Sequence, residues 1–402
     1  MQSLKELYKI GNGPSSSHTM GPKKAAEQFL IRAPKADSYR VTLYGSLAST
    51  GKGHLTDIAI RAVLEPIAPV EILWRGDIVH EFHTNGMLFE AIQNGVVADS
   101  WLVYSVGGGS IASPDMPYEI KNDIYPMSHI EDILRWCDSE GKTLWEYVGE
   151  CEDDDIWDFL DEIWTAMRRT LDNGLNNDGV LPGCLKVARK AGTYWVKSKE
   201  YGTNVSNRSR LYSYALAASE ENASGGEVVT APTCGSCGVL PAVLHHLEKL
   251  NDYRRIRILR ALATAGLIGN IAKTNASISG AEVGCQGEIG VACAMAAAAA
   301  CQLMGGTPAQ IEYAAEMALE HHLGLTCDPV CGLVQIPCIE RNAYAATRAL
   351  DANIYSTFTD GSHRVSFDKV VQVMKQTGHD LPSVYKETSE GGLAKDYEQM
   401  RR

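Results

Sequence analysis

The stretch from Ser277 to Asn342 constrains this chain most. It reads SISGAEVGCQGEIGVACAMAAAAACQLMGG, runs on through a helical segment ending EHHLGL, and closes as TCDPVCGLVQIPCIERN. Its Ala/Gly-rich helices can pack closely, while three of its cysteines sit where the chain breaks or a helix begins. Cys285 lies between Gly284 and Gln286-Gly287, where glycine lets the backbone approach something bulky. Cys327 precedes the Asp328-Pro329 turn, and Cys338 follows Pro337 just before the helical run IERNAYAATRAL. At such positions a thiolate gains from free N–H groups and the helix dipole. Three thiolates of this kind suit three irons of a cubane cluster whose fourth iron stays open. Buried structural thiols in a small-residue core explain the spacing equally well.

The rest of the sequence narrows the class. With 402 residues the chain is long enough for two ordinary domains. A net charge of −12 leaves no basic stripe for phosphates, so no nucleic-acid partner is expected. The opening MQSLKELYKIGNG is too polar for a signal peptide. Apolar runs such as VACAMAAAAAC fall short of a membrane span, so a cytoplasmic protein with no membrane partner is expected. Eleven cysteines in such a chain point to metal or redox chemistry rather than to a disulfide framework.

Residues 1–125 are predicted to form an α+β domain with a mostly antiparallel sheet. A short helix, LKELYKI, leads to GPSSSHTMGP, in which Ser15, Ser16, Ser17 and Thr19 surround His18 ahead of a helix that begins at Pro22. Hydroxyls and free N–H groups before a helix make a site for a carboxylate or phosphate, with plain capping as the alternative. YRVTLYGSL alternates as a strand. STGKGHLTD then places Lys52 and His54 on a glycine-flanked turn before a helix near Thr56. The turn lacks the frame of a Walker loop, and a histidine beside a lysine there suits acid–base work. VEILWR, IVHEFH, GMLFEAI and SWLVYSVGGGSIA are predicted as further strands, with His80 and His83 facing solvent. From residue 126 to 402 helical periodicity dominates. Cys234 and Cys237 form a C-x2-C pair with no second pair at zinc spacing, and the His245-His246 and His321-His322 pairs diverge on helices rather than chelate.

Taken together, GPSSSHTMGP (13–22), TGKGHLTD (50–57), NASISGAEVGCQGEIGVAC (275–293) and CDPVCGLVQIPCIERN (327–342) resemble the signature segments of iron–sulfur L-serine dehydratases. DGVLPG (178–183), EENASGGEVVTAPT (220–233) and ETSEGGLA (387–394) extend the resemblance over nearly the whole chain. It implies the single-chain form: a β-type α+β domain, residues 1–125, fused ahead of an all-helical α-type catalytic domain, residues 126–402. The family's 4Fe-4S cluster would then rest on Cys285, Cys327 and Cys338. The expected partners are the small molecule L-serine and a second copy of the chain in a homodimer. The sequence departs from the family in three ways. Its tail, KDYEQMRR, lacks the cysteine that caps the open iron in well-studied members; Cys331 and Cys234 stand where small residues and asparagine are common; and the insertion that the longest members carry after Leu64 is missing.

Serine dehydration must break a Cα–H bond and expel hydroxide. An open Lewis-acidic iron meets the second need. For the first, His54 is the leading candidate base, with His18 second or as the acid for the leaving group. Lys52 would orient the substrate carboxylate, and Ser15, Ser16, Ser17 and Thr19 would bind it. L-threonine and L-cysteine are alternative substrates, because one methyl group changes discrimination only modestly. A pyridoxal-phosphate lyase would need a Schiff-base lysine in a glycine-rich phosphate cup, which Lys186 and Lys273 lack. A non-catalytic ligand-binding regulator with structural zinc is the remaining rival.

Overall fold

The structure is a computed structural model in which residues 1–114, 123–395 and 397 are described. LKELYKI does not form the predicted helix. Leu4–Glu6 make one 3-10 turn, and the chain then extends as strand β1 (Ile10–Asn12). The cause is tertiary: Leu4, Leu7 and Tyr8 are buried in the core of the helical region. Leu4 and Tyr8 fill the notch left by Gly266 and Leu7 that left by Gly269, where an added Cβ would meet these side chains at 2.7–3.0 Å. The Glu152 carboxylate holds this segment, accepting from Ser3 Oγ at 2.6 Å, Leu4 N at 2.7 Å and Tyr125 OH at 2.7 Å.

After a π-helical turn at Ser16–Met20 come α1 (Gly21–Arg32), β2 (Ser38–Tyr44), α2 (Gly45–Thr50), α3 (Thr56–Leu64), β3 (Val70–Arg75), β4 (Gly86–Gln93), β5 (Val96–Ser105) and β6 (Ile111–Ala112). The sheet order is β3-β2-β4-β5-β6. Only β2 and β3 run parallel, so the sheet is mostly antiparallel. Its buried face, including Val41, Leu43, Phe89 and Val103, packs with Ala25, Ala26 and Phe29 of α1 and Ile60 of α3. IVHEFH is not a strand but part of the loop between β3 and β4. The Gly76-Asp77 turn ends β3, and aromatic contacts then capture the loop. His80 lies edge-on to Tyr44, with centroids 4.6 Å apart, and His83 Nε2 is 3.5 Å from Glu282. Both histidines are therefore half-buried rather than facing solvent.

The helical region comprises α4 (Ile130–Glu140), α5 (Leu144–Cys151), α6 (Ile156–Asn176), α7 (Ala191–Ser198), α8 (Thr203–Ala223), the short strand β7 (Glu227–Val229), α9 (Val239–Asn251), α10 (Arg255–Asn275), α11 (Gly280–Val283), α12 (Val291–Leu303), α13 (Pro308–Glu320), α14 (Cys338–Thr357) and α15 (Phe367–Asp380). Helix α12 is its axis. Every residue of it except Gln302 is buried, as a helix apolar all round must be, and α9, α10, α13 and α14 surround it. Elsewhere glycine allows helices to touch: a Cβ on Gly174 of α6 would lie 2.1 Å from the Ala217 carbonyl oxygen of α8. Strand β1 pairs antiparallel with β7, joining the start of the chain to the helical region.

Glu152→Ala removes three contacts and leaves Leu4 N and Tyr125 OH buried without their acceptor. It is expected to cost about 1–3 kcal/mol, read as a lower melting temperature, with Glu152→Gln losing less. An unchanged melting temperature in Glu152→Ala would mean that this carboxylate does not hold the segment.

Candidate active site

Two loops far apart in the sequence enter their helices through π-helical turns, Ser16–Met20 before α1 and Gln286–Gly290 before α12. Such turns interrupt the regular ladder and recur at functional sites. Here they bring Ser15 and His54 to one small enclosed cavity with Cys285, Cys327, Cys338 and Glu288. Cys285 is the residue before the second turn, Cys338 opens α14, and Cys327 lies in the loop after α13. The Cys285 and Cys327 thiols donate to Glu288 Oε2 at 3.7 and 3.9 Å. A Cβ on Gly280 would lie 3.2 Å from Cys327 Sγ, so that glycine leaves the cradle open. The Cys285 hydrogen bond, followed by burial, raises the Cys327 thiol; burial raises Cys338.

The histidines form the opposing wall. His18 and His54 are both buried and meet edge to face, with centroids 4.6 Å apart. Both ring nitrogens of His18 are engaged, Nδ1 with Ser17 Oγ at 2.9 Å and Nε2 with Ser46 Oγ at 3.1 Å. His54 differs: its buried Nδ1 has no hydrogen-bond partner. Burial lowers its pKa to about 4, which keeps the ring neutral at pH 7. Thr19 Oγ1 donates to the His54 carbonyl at 2.7 Å, and Thr56 Oγ1 donates to that of His18 at 2.5 Å, so these hydroxyls fix the backbone of both histidines. Ser15 Oγ accepts from His18 N at 3.1 Å and lines the cavity; Ser16 is buried beside it. Lys52 is not brought into this group. It is exposed, with its ammonium 5.6 Å from the centre of the Trp74 ring.

Sequence reasoning missed two carboxyl groups. Glu288 accepts from Thr233 Oγ1 at 2.8 Å, which brings the loop of Cys234 and Cys237 alongside the cavity. Glu387 arrives from the tail, in the left-handed region at φ 59°, with its N–H on the Cys327 carbonyl at 2.9 Å. Burial and then the neighbouring acid Glu387 push Glu288 up to about 8, and burial and then Cys285 push Glu387 up to about 8. The 3.5 Å contact of Glu387 with His18 is thus between neutral groups, since burial also lowers His18. Asp328 straps the tail down, accepting from Leu393 N at 2.8 Å and Arg341 at 3.3 Å. Cys331 packs instead with Leu185, Val330 and Leu333, and the buried Cys234 thiol is 3.4 Å from Met20 Sδ.

Two donor sets could hold metal: Cys285, Glu288 and Cys327, with Cys338 on the same cavity, and His18, His54 and Glu387. Three thiols around one cradle, with no fourth lining it among the described residues, fit a cubane cluster with one open iron. In the second set both ring nitrogens of His18 are already engaged by serines, which leaves neither free for a metal.

Residues 64–394 match the family Serine dehydratase alpha chain and residues 3–73 match Serine dehydratase beta chain. The chain is 40% identical to L-serine dehydratase of Haemophilus influenzae, over 98% of this chain and 99% of that protein. It is 42% identical to L-serine dehydratase of Streptomyces coelicolor (98% of each) and 41% identical to L-serine dehydratase 1 of Escherichia coli (98% and 99%). Fold and site thus define a two-part enzyme class in which an α+β region meets a helical region. The chain belongs to the serine dehydratase family, with its beta-type and alpha-type parts on one polypeptide. No helix among the described residues is long and apolar enough to cross a membrane.

A Cβ on Gly392, which has φ 56°, would fall 2.0 Å from Asp328 Oδ2. Gly392→Ala is therefore expected to release the tail, so that trypsin cuts after Lys386 several-fold faster while the melting temperature of the core is unchanged. Equal cleavage rates would show that Asp328 does not secure it.

Proposed function

We propose that the chain is an iron–sulfur-dependent L-serine dehydratase, converting L-serine to pyruvate and ammonia. The observation that carries this reading is the meeting, at one buried cavity, of three cysteine thiols and a neutral histidine with a free ring nitrogen. The substrate is inferred from the names of the relatives. Cys285, Cys327 and Cys338 would hold a 4Fe-4S cluster, which when bound supplies a Lewis acid for departure of the hydroxyl group.

The remaining steps fall to the chain. His54 Nδ1 takes the Cα proton; the electron pair of that bond forms the Cα–Cβ double bond as the Cβ–O bond breaks, and the hydroxide released takes up the proton held on His54, leaving as water and returning the ring to its neutral form. The resulting aminoacrylate tautomerises to an imine, and water hydrolyses it to pyruvate and ammonia. Ser15 and the backbone around Ser16 and Ser17 hold the carboxylate, with His18 set in orientation by Ser17 and Ser46. Thr19 acts as a positioning residue through the His54 carbonyl. A closed cavity excludes bulk water, which strengthens each of these contacts. Lys52 has no place in this scheme.

Two outcomes test the proposal. Cys→Ser at 285, 327 or 338, in protein purified without oxygen, is expected to abolish both visible iron–sulfur absorbance and pyruvate formation from L-serine. Retention of the absorbance in two of the three variants would sink the ligand set. His54→Asn should keep the absorbance while turnover and exchange of the serine α-proton fall together by ~10²-fold or more. His18→Ala should instead raise KM for L-serine more than it slows exchange. Loss of exchange in His18→Ala, with exchange retained in His54→Asn, would reverse the two roles.

A further inference from the structure

The cavity measures about 20 Å³, room for a single water molecule, so L-serine enters only where its walls part. The α+β region and the helical region meet along several seams, which differ in how they are closed. At one, β1 and β7 share backbone hydrogen bonds, and Gly13 N donates to the Gly226 carbonyl at 3.0 Å. At the tail, Ser46 Oγ donates to the Glu387 carbonyl at 3.1 Å and Asp328 accepts from Leu393 N. A further seam runs between residues 83–85 and 105–108 of the α+β region and residues 277–283, which include α11. There a Cβ on Gly107 would lie 3.6 Å from Ser279 Cβ, and one on Gly108 would lie 3.8 Å from Ile278 Cδ1. The polar groups of this seam are poorly matched: Asn85 Oδ1 and Ser279 Oγ are buried without a hydrogen-bond partner. Such groups lose water when the seam closes and regain it when the seam parts.

A charged contact spans this seam. His83 Nδ1 accepts from Asn85 N at 3.0 Å, so the neutral ring carries its proton on Nε2. That nitrogen stands 3.5 Å from Glu282 Oε1, within reach of the charge but short of a made hydrogen bond. His83 first, and then Ser277, hold Glu282 below the usual carboxylate range against the effect of burial. Glu282 belongs to α11, which also borders the cysteines: a Cβ on Gly280 would lie 2.6 Å from Glu288 Oε2 and 3.2 Å from Cys327 Sγ. On the other side, Ser105 Oγ donates to the Ser17 carbonyl at 2.6 Å, which ties the seam to the loop of His18. Parting the seam therefore draws the serine loop away from the cysteines as one piece. We propose that L-serine enters the cavity through this seam, with His83 and Glu282 as the catch that closes it. The β1–β7 ladder, whose backbone bonds are made, is the hinge. The proposal rests on the cavity being the place of serine dehydration.

Two variants separate the catch from the folding of its own loop. His83→Asn retains an acceptor for Asn85 N but loses the donor to Glu282, whereas His83→Gln places an amide N–H where Nε2 stood. In the full chain purified without oxygen, His83→Asn and Glu282→Ala are expected to speed backbone hydrogen exchange about tenfold in residues 105–109 and 277–284. Exchange in β1 and β7 should not change. Iron should pass to added EDTA faster by the same factor, and His83→Gln should match the parent in both measurements. Equal exchange at the seam in His83→Asn and the parent overturns the proposal. So does a His83→Gln variant that exchanges as fast as His83→Asn, since the loop and not the catch would then be at fault. Faster iron loss in Gly392→Ala, with none in His83→Asn, would place the entrance at the tail and overturn it too. Exchange is read without reference to iron, so a chain that binds no iron defeats the function proposed above while the seam is still decided.

Discussion

Everything at the cavity depends on how the first segment of the chain is docked on the helical region. Strand β1 pairs with β7, Gly13 N donates to the Gly226 carbonyl at 3.0 Å, and Asn222 Nδ2 donates to the Pro14 carbonyl at 2.8 Å. Gly13 is required for that approach, since a Cβ there would lie 2.2 Å from Asn222 Oδ1. From this anchor the Ser15–Thr19 loop has one direction to go, and its hydroxyls carry His18 and His54 with it. The helical region meets them with cysteines at the points where its own helices start or break.

Burial sets the protonation of these groups and also makes the site costly to assemble. Desolvation favours neutral forms, and it lowers both histidines while it raises Glu288, Glu387 and two of the thiols. A bound polycation would reverse that preference for the thiols, because a coordinating thiol is deprotonated outright. The thiols would then exchange their protons for a bound metal, while burial keeps the histidine wall neutral. The tail, secured by Asp328, closes the arrangement by setting Glu387 beside both walls.

The fold class and the cysteine pattern were readable because their signals are local. Helical periodicity marks α6, α8 and α14, and the glycine and proline breaks around Cys285, Cys327 and Cys338 lie within a few residues of each thiol. The misread segments failed where distant contacts outweigh local pattern. LKELYKI has helical spacing but is drawn out by Glu152 and β7, and IVHEFH alternates like a strand but is held by Tyr44, Tyr104 and Glu282. Of the missed carboxyl groups, Glu288 stood beside a suspected ligand and was open to notice. Glu387 was not, since only folding brings it against Cys327 and His18. Lys52 looked functional from its neighbours, yet its side chain turns outward over Trp74.

The central claim is that one cavity joins a three-cysteine iron site to a histidine wall supplied by the other region. Anomalous diffraction at the iron absorption edge, from crystals grown without oxygen, tests it most directly. The account predicts a single compact iron peak bounded by the sulfurs of Cys285, Cys327 and Cys338, with His54 facing it across the cavity. Absence of iron there, or an iron peak at Cys234 and Cys237 instead, would contradict it.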